Sequence, residues 1–334
     1  MDSVNMDVIC AAYQWLEEGR RPLLATVVKT WGSSPRVPGS MLVIRDDGLA
    51  IGSVSGGCIE DDLIARVRER RIDATRPYTE RYGVSAEEAH RFGLPCGGTI
   101  ELVLEPLNAS SGIAALLDAL RAGRLVTRTL DLATGAATLA PASVSDGIHF
   151  DGKALRTVLG PRYRLLVIGA GQLSRYLAHI AVGLDFQVTV CDPREEYVDT
   201  WDIPSVELVR EMPDDVVTAM RLDERSAVVA LTHDPKLDDL ALMEALRTRA
   251  FYVGALGSRR NNDARRARLR EFDLDDERIS RMHGPAGIHI GSRTPPEIAV
   301  SIAAEMIAAK NGIQIPLRMQ VRFGKDGARP GLHA

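Results

Sequence analysis

The stretch Val167-Ile168-Gly169-Ala170-Gly171-Gln172-Leu173-Ser174 constrains this chain more than any other. It sets a G-x-G turn directly after a short apolar run and before a helical pattern. Asp192 stands at the end of the next apolar run, 21 residues beyond Gly171. This is the spacing of a βαβ unit in which glycine backbone and a helix start meet a phosphate, and an acidic side chain meets a ribose hydroxyl. Ser174 takes the place of the third glycine. The ligand is therefore less clearly written than the fold. NAD(P) or another nucleotide fits the loop, Arg194 suits an added phosphate, and the two glycines also fit a tight turn alone.

The surrounding rhythm agrees. Short apolar runs at 165–168, 188–191, 227–231 and 251–253 alternate with helical stretches such as 237–248, ahead of a strong final helix over 295–309 that opens on two prolines. That alternation predicts a parallel sheet covered on both faces. The first half reads differently. A helix over 6–18, strands over 23–28, 41–44 and 50–54, a helix from Cys58 to Arg70, a strand over 100–104, a helix over 113–121 and a hairpin near Gly135 follow one another. The class is α/β: an N-terminal mixed α+β domain over 1–160, a Rossmann-like doubly wound parallel-sheet domain over 161–312, and a tail over 313–334.

Two cysteines lie among glycines in the first half. One is in Gly52-Ser53-Val54-Ser55-Gly56-Gly57-Cys58-Ile59-Glu60, the other in Leu94-Pro95-Cys96-Gly97-Gly98. Glycines this dense let backbone approach a ligand closely. A thiol ahead of a helix start is placed to be an exposed, reactive thiolate. Both cysteines also suit a small buried hydrophobe, and Cys10 and Cys191, in apolar contexts, read as core. Arg36, in the turn-rich 32–39 loop, is a candidate anion contact or a solvated charge. Glu60 reads as an acid-base group or an ordinary first-turn helix charge. In the second half His233, just past an expected strand end, is a candidate polar contact. Ser258 and Arg259, after Gly257, form a second candidate anion site. Arg259 also belongs, with Arg260, Arg265, Arg266, Arg268 and Arg270, to a basic run that reads mostly as a solvated helix face, open to use by a partner protein.

Composition excludes several classes. The net charge of −4 gives no basic field for nucleic acid. No apolar run approaches the roughly 20 residues of a membrane helix, and the first residues lack the pattern of a secretory signal. None of the four cysteines makes a C-x-x-C pair, so a structural zinc ribbon is not expected. A cytoplasmic protein with reduced cysteines is expected.

Taken in order, Gly32-Ser33-Ser34-Pro35-Arg36, Gly52 to Glu60, Pro95-Cys96-Gly97-Gly98, Val167 to Gly171, Thr232-His233-Asp234, Tyr252 to Arg260 and Gly284 to Ile302, with Thr294-Pro295-Pro296-Glu297-Ile298-Ala299 inside it, resemble the XdhC/CoxI family of accessory proteins for molybdenum hydroxylases. Ala286 and His289 depart from the residues usual in that last segment. The resemblance implies a carrier rather than a turnover enzyme. Such a carrier binds the molybdenum cofactor in its molybdopterin form, supports its sulfuration by a cysteine desulfurase, and delivers it to a molybdenum hydroxylase apoenzyme of the xanthine dehydrogenase type. No nucleic-acid or membrane partner is implied, and a homodimer is compatible with this reading. Cys58 and Cys96 would then contact molybdenum, pterin or transferred sulfur, and Gly56, Gly57, Gly97 and Gly98 would offer backbone to the anion. Two other readings compete: an NAD(P)-dependent oxidoreductase acting on a small carbonyl substrate, built on Gly169, Gly171 and Asp192, and a scaffold in which the cysteines are incidental.

Overall fold

The computed structural model describes residues 3–32, 36–73, 75–83, 98–143, 146–199 and 201–324. The chain divides into two compact units, one ending at Pro161 and the other starting at Arg162.

The first unit opens with helix α1 (Ser3–Glu17) and strand β1 (Leu23–Trp31), followed by β2 (Met41–Ile44), β3 (Ala50–Gly52) and helix α2 (Cys58–Arg68). Next come β4 (Tyr78–Tyr82), β5 (Thr99–Pro106) and helix α3 (Ile113–Arg121). These strands form an antiparallel sheet in the order β3-β2-β1-β5-β4. Residues 23–28 are buried without a break because both faces of the sheet are covered. Leu24, Met41 and Val43 pack with α1 and α3 on one face. Leu23, Ala25, Leu42 and Ile44 pack with Ile59 and Leu63 of α2 on the other. Alternate strand residues point to opposite faces, which sorts the two sets.

In α1 the residues Val8, Ile9, Ala12 and Trp15 are buried at helical spacing. Cys10 falls on the opposite side of the helix and is exposed. The expectation that it belongs to the core is corrected by that phase. A smaller antiparallel sheet follows, made of β6 (Val126–Asp131), β7 (Ala137–Pro141), β8 (His149–Phe150) and β9 (Ala154–Leu159) in the order β7-β6-β9-β8. The hairpin at Gly135 is there, and β9 completes it on the other side of β6.

The second unit alternates strand and helix: β10 (Arg164–Ile168), α4 (Gln172–Gly183), β11 (Gln187–Cys191), β12 (Glu207–Val209), α5 (Pro213–Met220) and β13 (Ser226–Ala230). It continues with α6 (Pro235–Arg247), β14 (Tyr252–Ala255), α7 (Arg259–Glu271), β15 (Met282–His283) and α8 (Pro295–Lys310). The six strands are parallel in the order β12-β11-β10-β13-β14-β15. Counted within the unit this is 3-2-1-4-5-6, the Rossmann order, with its switch point between β10 and β13. Leu165 and Val167 face α4 and α8, while Leu166 and Ile168 face α5 and α6. The doubly wound expectation is met.

Candidate functional site

Three connections of the first sheet leave from one end: the one after β1, the one after β3 and the one between β4 and β5. This follows from the register, since Thr26 pairs with Met41, Leu42 with Gly52, Trp31 with Thr99 and Tyr82 with Ile100. Arg36 lies in the first connection and the Gly56-Gly57-Cys58 turn in the second. Gly98, which is buried, closes the third. Cys96 and Gly97 lie outside the described residues.

The turn before α2 is organised by one side chain. Glu60 is the third residue of the helix, the spacing at which a glutamate folds back onto the cap. Its Oε1 accepts the amides of Val54 at 2.9 Å, Ser55 at 2.8 Å and Gly56 at 2.9 Å. Its Oε2 accepts the Gly57 amide at 2.8 Å and the Ser55 hydroxyl. The Ser53 hydroxyl donates to Oε1 at 2.8 Å and accepts Nε of Arg36 at 3.2 Å. Four consecutive amides thus converge on one carboxylate, the concave arrangement that binds anions elsewhere. Partial burial raises the Glu60 pKa. The Ser55 hydroxyl, the Gly56 and Ser55 amides and the Ser53 hydroxyl outweigh that burial and hold the carboxyl far below the usual range.

Two expectations change here. Glu60 is not poised for proton transfer, because it stays ionised and fully engaged. The Gly56 and Gly57 amides do not face outward to a ligand anion, because Glu60 already receives them. What remains presented is sulfur: Cys58 is the first residue of α2, exposed and a free thiol. Arg36, Gly56, Gly57, Cys58 and Glu60 are brought together as one cluster. The Ser53 and Ser55 hydroxyls complete it. They were not among the expected site residues, although their place seven and five residues before a cap glutamate was the available signal.

In the second unit Gly169, Gly171, Asp192 and His233 meet at the switch point. Gly169 has φ +103°, and a Cβ there would stand 2.9 Å from Cγ2 of Thr232, so both backbone and packing require glycine. Gly171 caps α4 with open space where its Cβ would be. Asp192 is fully buried. Its Oδ2 accepts the Ala170 amide at 2.8 Å and Nη2 of Arg194 at 2.8 Å, and its Oδ1 accepts Nε of Arg194 at 2.9 Å. Burial pushes its pKa up, but Arg194 and the Ala170 amide prevail and lower it. Arg194 also stacks on Tyr197, 4.0 Å from the ring centroid. The carboxylate expected at a ribose is spent inside the fold, bracing the G-x-G turn.

His233 is exposed at φ +65°, one residue past Thr232, whose amide and hydroxyl are held by buried Asp238. Ser258 caps α7 by accepting the Asn261 amide at 3.1 Å, and Arg259 is the first residue of that helix, at the carboxyl edge of β14. The basic face expected on α7 is corrected in part. Arg265 is 4% exposed and bonds Asp238 and Asp239, and Arg266 is buried against β15. Helical phase turns these two inward while Arg260 and Arg270 stay outside. Cys191 is core as expected; burial, followed by the charge of Asp192, pushes its thiol up to about 12. Among the described residues, no group of three or more His, Cys, Asp or Glu is arranged to hold a metal ion. No helix among them is long and apolar enough to cross a membrane.

A Rossmann unit preceded by an α+β unit that displays a cysteine on a glycine-rich helix start defines a recognisable class. The family description "XdhC Rossmann domain" matches residues 165–306, and "XdhC and CoxI family" matches residues 15–83. The chain belongs to the XdhC and CoxI family. It is 26% identical over 299 residues to the molybdenum cofactor insertion chaperone PaoD of Escherichia coli, covering 90% of this chain and 86% of that one. It is 26% identical over 326 residues to a Bacillus subtilis protein named as a probable xanthine dehydrogenase subunit, covering 90% and 96%. A solved structure from Bacillus halodurans, described as a xanthine dehydrogenase, superposes with a TM-score of 0.72 at 25% identity, over 92% of this chain and 96% of that one.

Proposed function

We propose that this protein is an accessory factor that takes the molybdenum cofactor as cargo and passes it to an apoenzyme of the molybdenum hydroxylase class. The observation that carries the reading is Cys58: an exposed thiol at the first position of a helix, on a turn locked by Glu60. The cargo is a phosphate-bearing pterin whose metal is held by sulfur, and a thiolate suits that soft environment. The donor set fits in part. The sulfur is presented and Arg36 stands in the same cluster, but the amide nest is filled by Glu60. The capture step therefore rests on sulfur and guanidinium, with Glu60 holding the turn in shape. The family membership and the name carried by the E. coli relative support this reading. A cysteine desulfurase supplying sulfur to the cargo, Cys96 as a second sulfur contact, a homodimer and a cytoplasmic setting belong to the same proposal.

Hydride transfer with a nicotinamide has less to stand on. It needs Asp192 at a ribose, and that carboxylate is enclosed by Arg194 and Ala170. The Gly171 cap and the exposed His233 leave a phosphate or nucleotide contact as the role we propose for the crevice, with Ser258 and Arg259 further along the same edge.

The test is to purify the protein from cells that make the cofactor and to measure molybdenum and oxidised-pterin fluorescence on the wild type and on Cys58→Ser. The expected result is pterin and molybdenum on the wild type and a loss of at least several-fold on the variant. A wild type without pterin that oxidises NADH with an aldehyde or ketone would overturn the reading.

A further inference from the structure

At the outer edge of the second sheet lies a polar cavity of about 200 Å³, apart from the Gly169 turn, lined by Arg266, His283, Glu305, Gln320 and Arg322 among others. Arg266 reaches it from α7. Its Nη2 donates to the carbonyls of Met282 at 3.2 Å and Gly284 at 2.8 Å. Its Nη1 is buried and, among the described residues, has no hydrogen-bond partner, although the residue is only 9% exposed. A guanidinium nitrogen without an acceptor in such a place carries a desolvation cost that an anion would offset. Burial, with Arg322 as the next cause, pushes the Arg266 pKa down, so the site already works against its own charge.

The rest of the lining is compatible with that need. Glu305 faces the cavity, but its oxygens are engaged. Oε2 accepts the Tyr252 hydroxyl at 2.6 Å and the Gly287 amide at 2.6 Å, and Oε1 lies 3.1 Å from Nδ1 of His283. A proton on Nδ1 satisfies that contact and leaves Nε2 as the imidazole's second polar atom. The Tyr252 ring, 4.5 Å from the imidazole centroid, fixes the plane of His283. Asp263, on the exposed side, lies 3.5 Å from Nη1 of Arg266 and 3.4 Å from Nη2 of Arg322. The first of these is an ion-pair distance without hydrogen-bond geometry. Asp263 is shared between two guanidinium groups and leaves both with donors to spare, since each has five.

We propose that this cavity binds a tetrahedral oxyanion of phosphate type, free or as the terminal group of a phosphate monoester, held between Arg266 and Arg322 with His283 alongside. Guanidinium forks match such oxygens in pairs. The site belongs to the second unit and Cys58 to the first, and its standing does not depend on the function proposed above. It also links the end of the described chain to the sheet, because Gln320 and Arg322 belong to the segment that pairs with Ile288 and bonds Gly287.

The experiment is calorimetric titration of the full-length protein with inorganic phosphate in one arm and a nucleoside monophosphate in the other. The wild type is compared with Arg322→Gln, whose side chain is 41% exposed and tolerates change, and with His283→Asn. Arg266→Gln is added with circular dichroism as a fold check, since Arg266 also bonds backbone. Binding in either arm that weakens at least tenfold in Arg322→Gln, with unchanged melting of the apo variant, supports the site, and the stronger arm identifies the source. No heat and no thermal stabilisation with either probe, or equal affinity in wild type and Arg322→Gln, overturns it.

Discussion

The carboxylate of Glu60 lies 2.8 Å from the Gly57 amide, one residue before the cysteine that the first unit displays. Through that bond and its neighbours, a residue inside α2 holds the conformation of the turn, which the glycines permit, Gly56 at φ +97°. Glu60→Ala leaves four amides without their acceptor and should cost about 2–4 kcal/mol of stability, whereas Glu60→Gln keeps part of the set and should cost about half as much. Urea unfolding measures both. The same variants should alter the alkylation rate of Cys58 several-fold, read by peptide mass mapping so that exposed Cys10 is scored separately.

A pH dependence follows with a definite sign. The Glu60 carboxyl is held low in the folded protein, so its stabilisation is complete above the ordinary glutamate value of about 4.3 and is lost as pH falls toward the folded value. Between pH 6 and pH 3 the wild type should lose more stability than Glu60→Gln. Equal losses in denaturant titrations at the two pH values would refute the assignment.

Arg194→Ala removes the guanidinium that pairs with fully buried Asp192. An unpaired buried carboxylate is costly, though the Ala170 amide remains, and a loss of about 2–3 kcal/mol is expected. Replacing both residues, as Asp192→Asn with Arg194→Ala, should be milder than the sum of the single changes. A double-mutant cycle in urea reads that coupling.

The two glycines of the G-x-G turn should answer differently to alanine. At Gly169 the new methyl meets Thr232 and the backbone is left-handed, so Gly169→Ala should cost about 2 kcal/mol or more. At Gly171 nothing lies within 4 Å, so Gly171→Ala should change stability by less than about 0.5 kcal/mol. Thermal melting separates them. If Gly171→Ala abolishes nucleotide or phosphate binding while melting normally, that glycine serves a ligand.

The second unit was legible because strand order and switch point follow from βαβ periodicity, and Val167 to Ser174 marks the first crossover. The strands β12 and β15 escaped notice because three and two residues carry no period. The Cys58 turn was legible as a place, since glycine density and a helix start are local facts. Its chemistry was not, because a carboxylate at the third helical position reads the same whether it faces water or folds back onto four amides. The roles of Asp192 and Arg265 turned on partners that only the fold brings near: the Ala170 amide for Asp192, beside its sequence neighbour Arg194, and the pair Asp238 and Asp239 from the preceding helix for Arg265.

Arg266 has one more effect. The carbonyl of Met282 in edge strand β15 and that of Gly284 just past it both end on its guanidinium, and the next residue after Gly284 is Pro285, which has no amide hydrogen to offer. An invading extended peptide would find these two acceptors already taken and no donor at Pro285. The parallel ladder is thereby terminated by a side chain, a built-in guard against edge-to-edge aggregation.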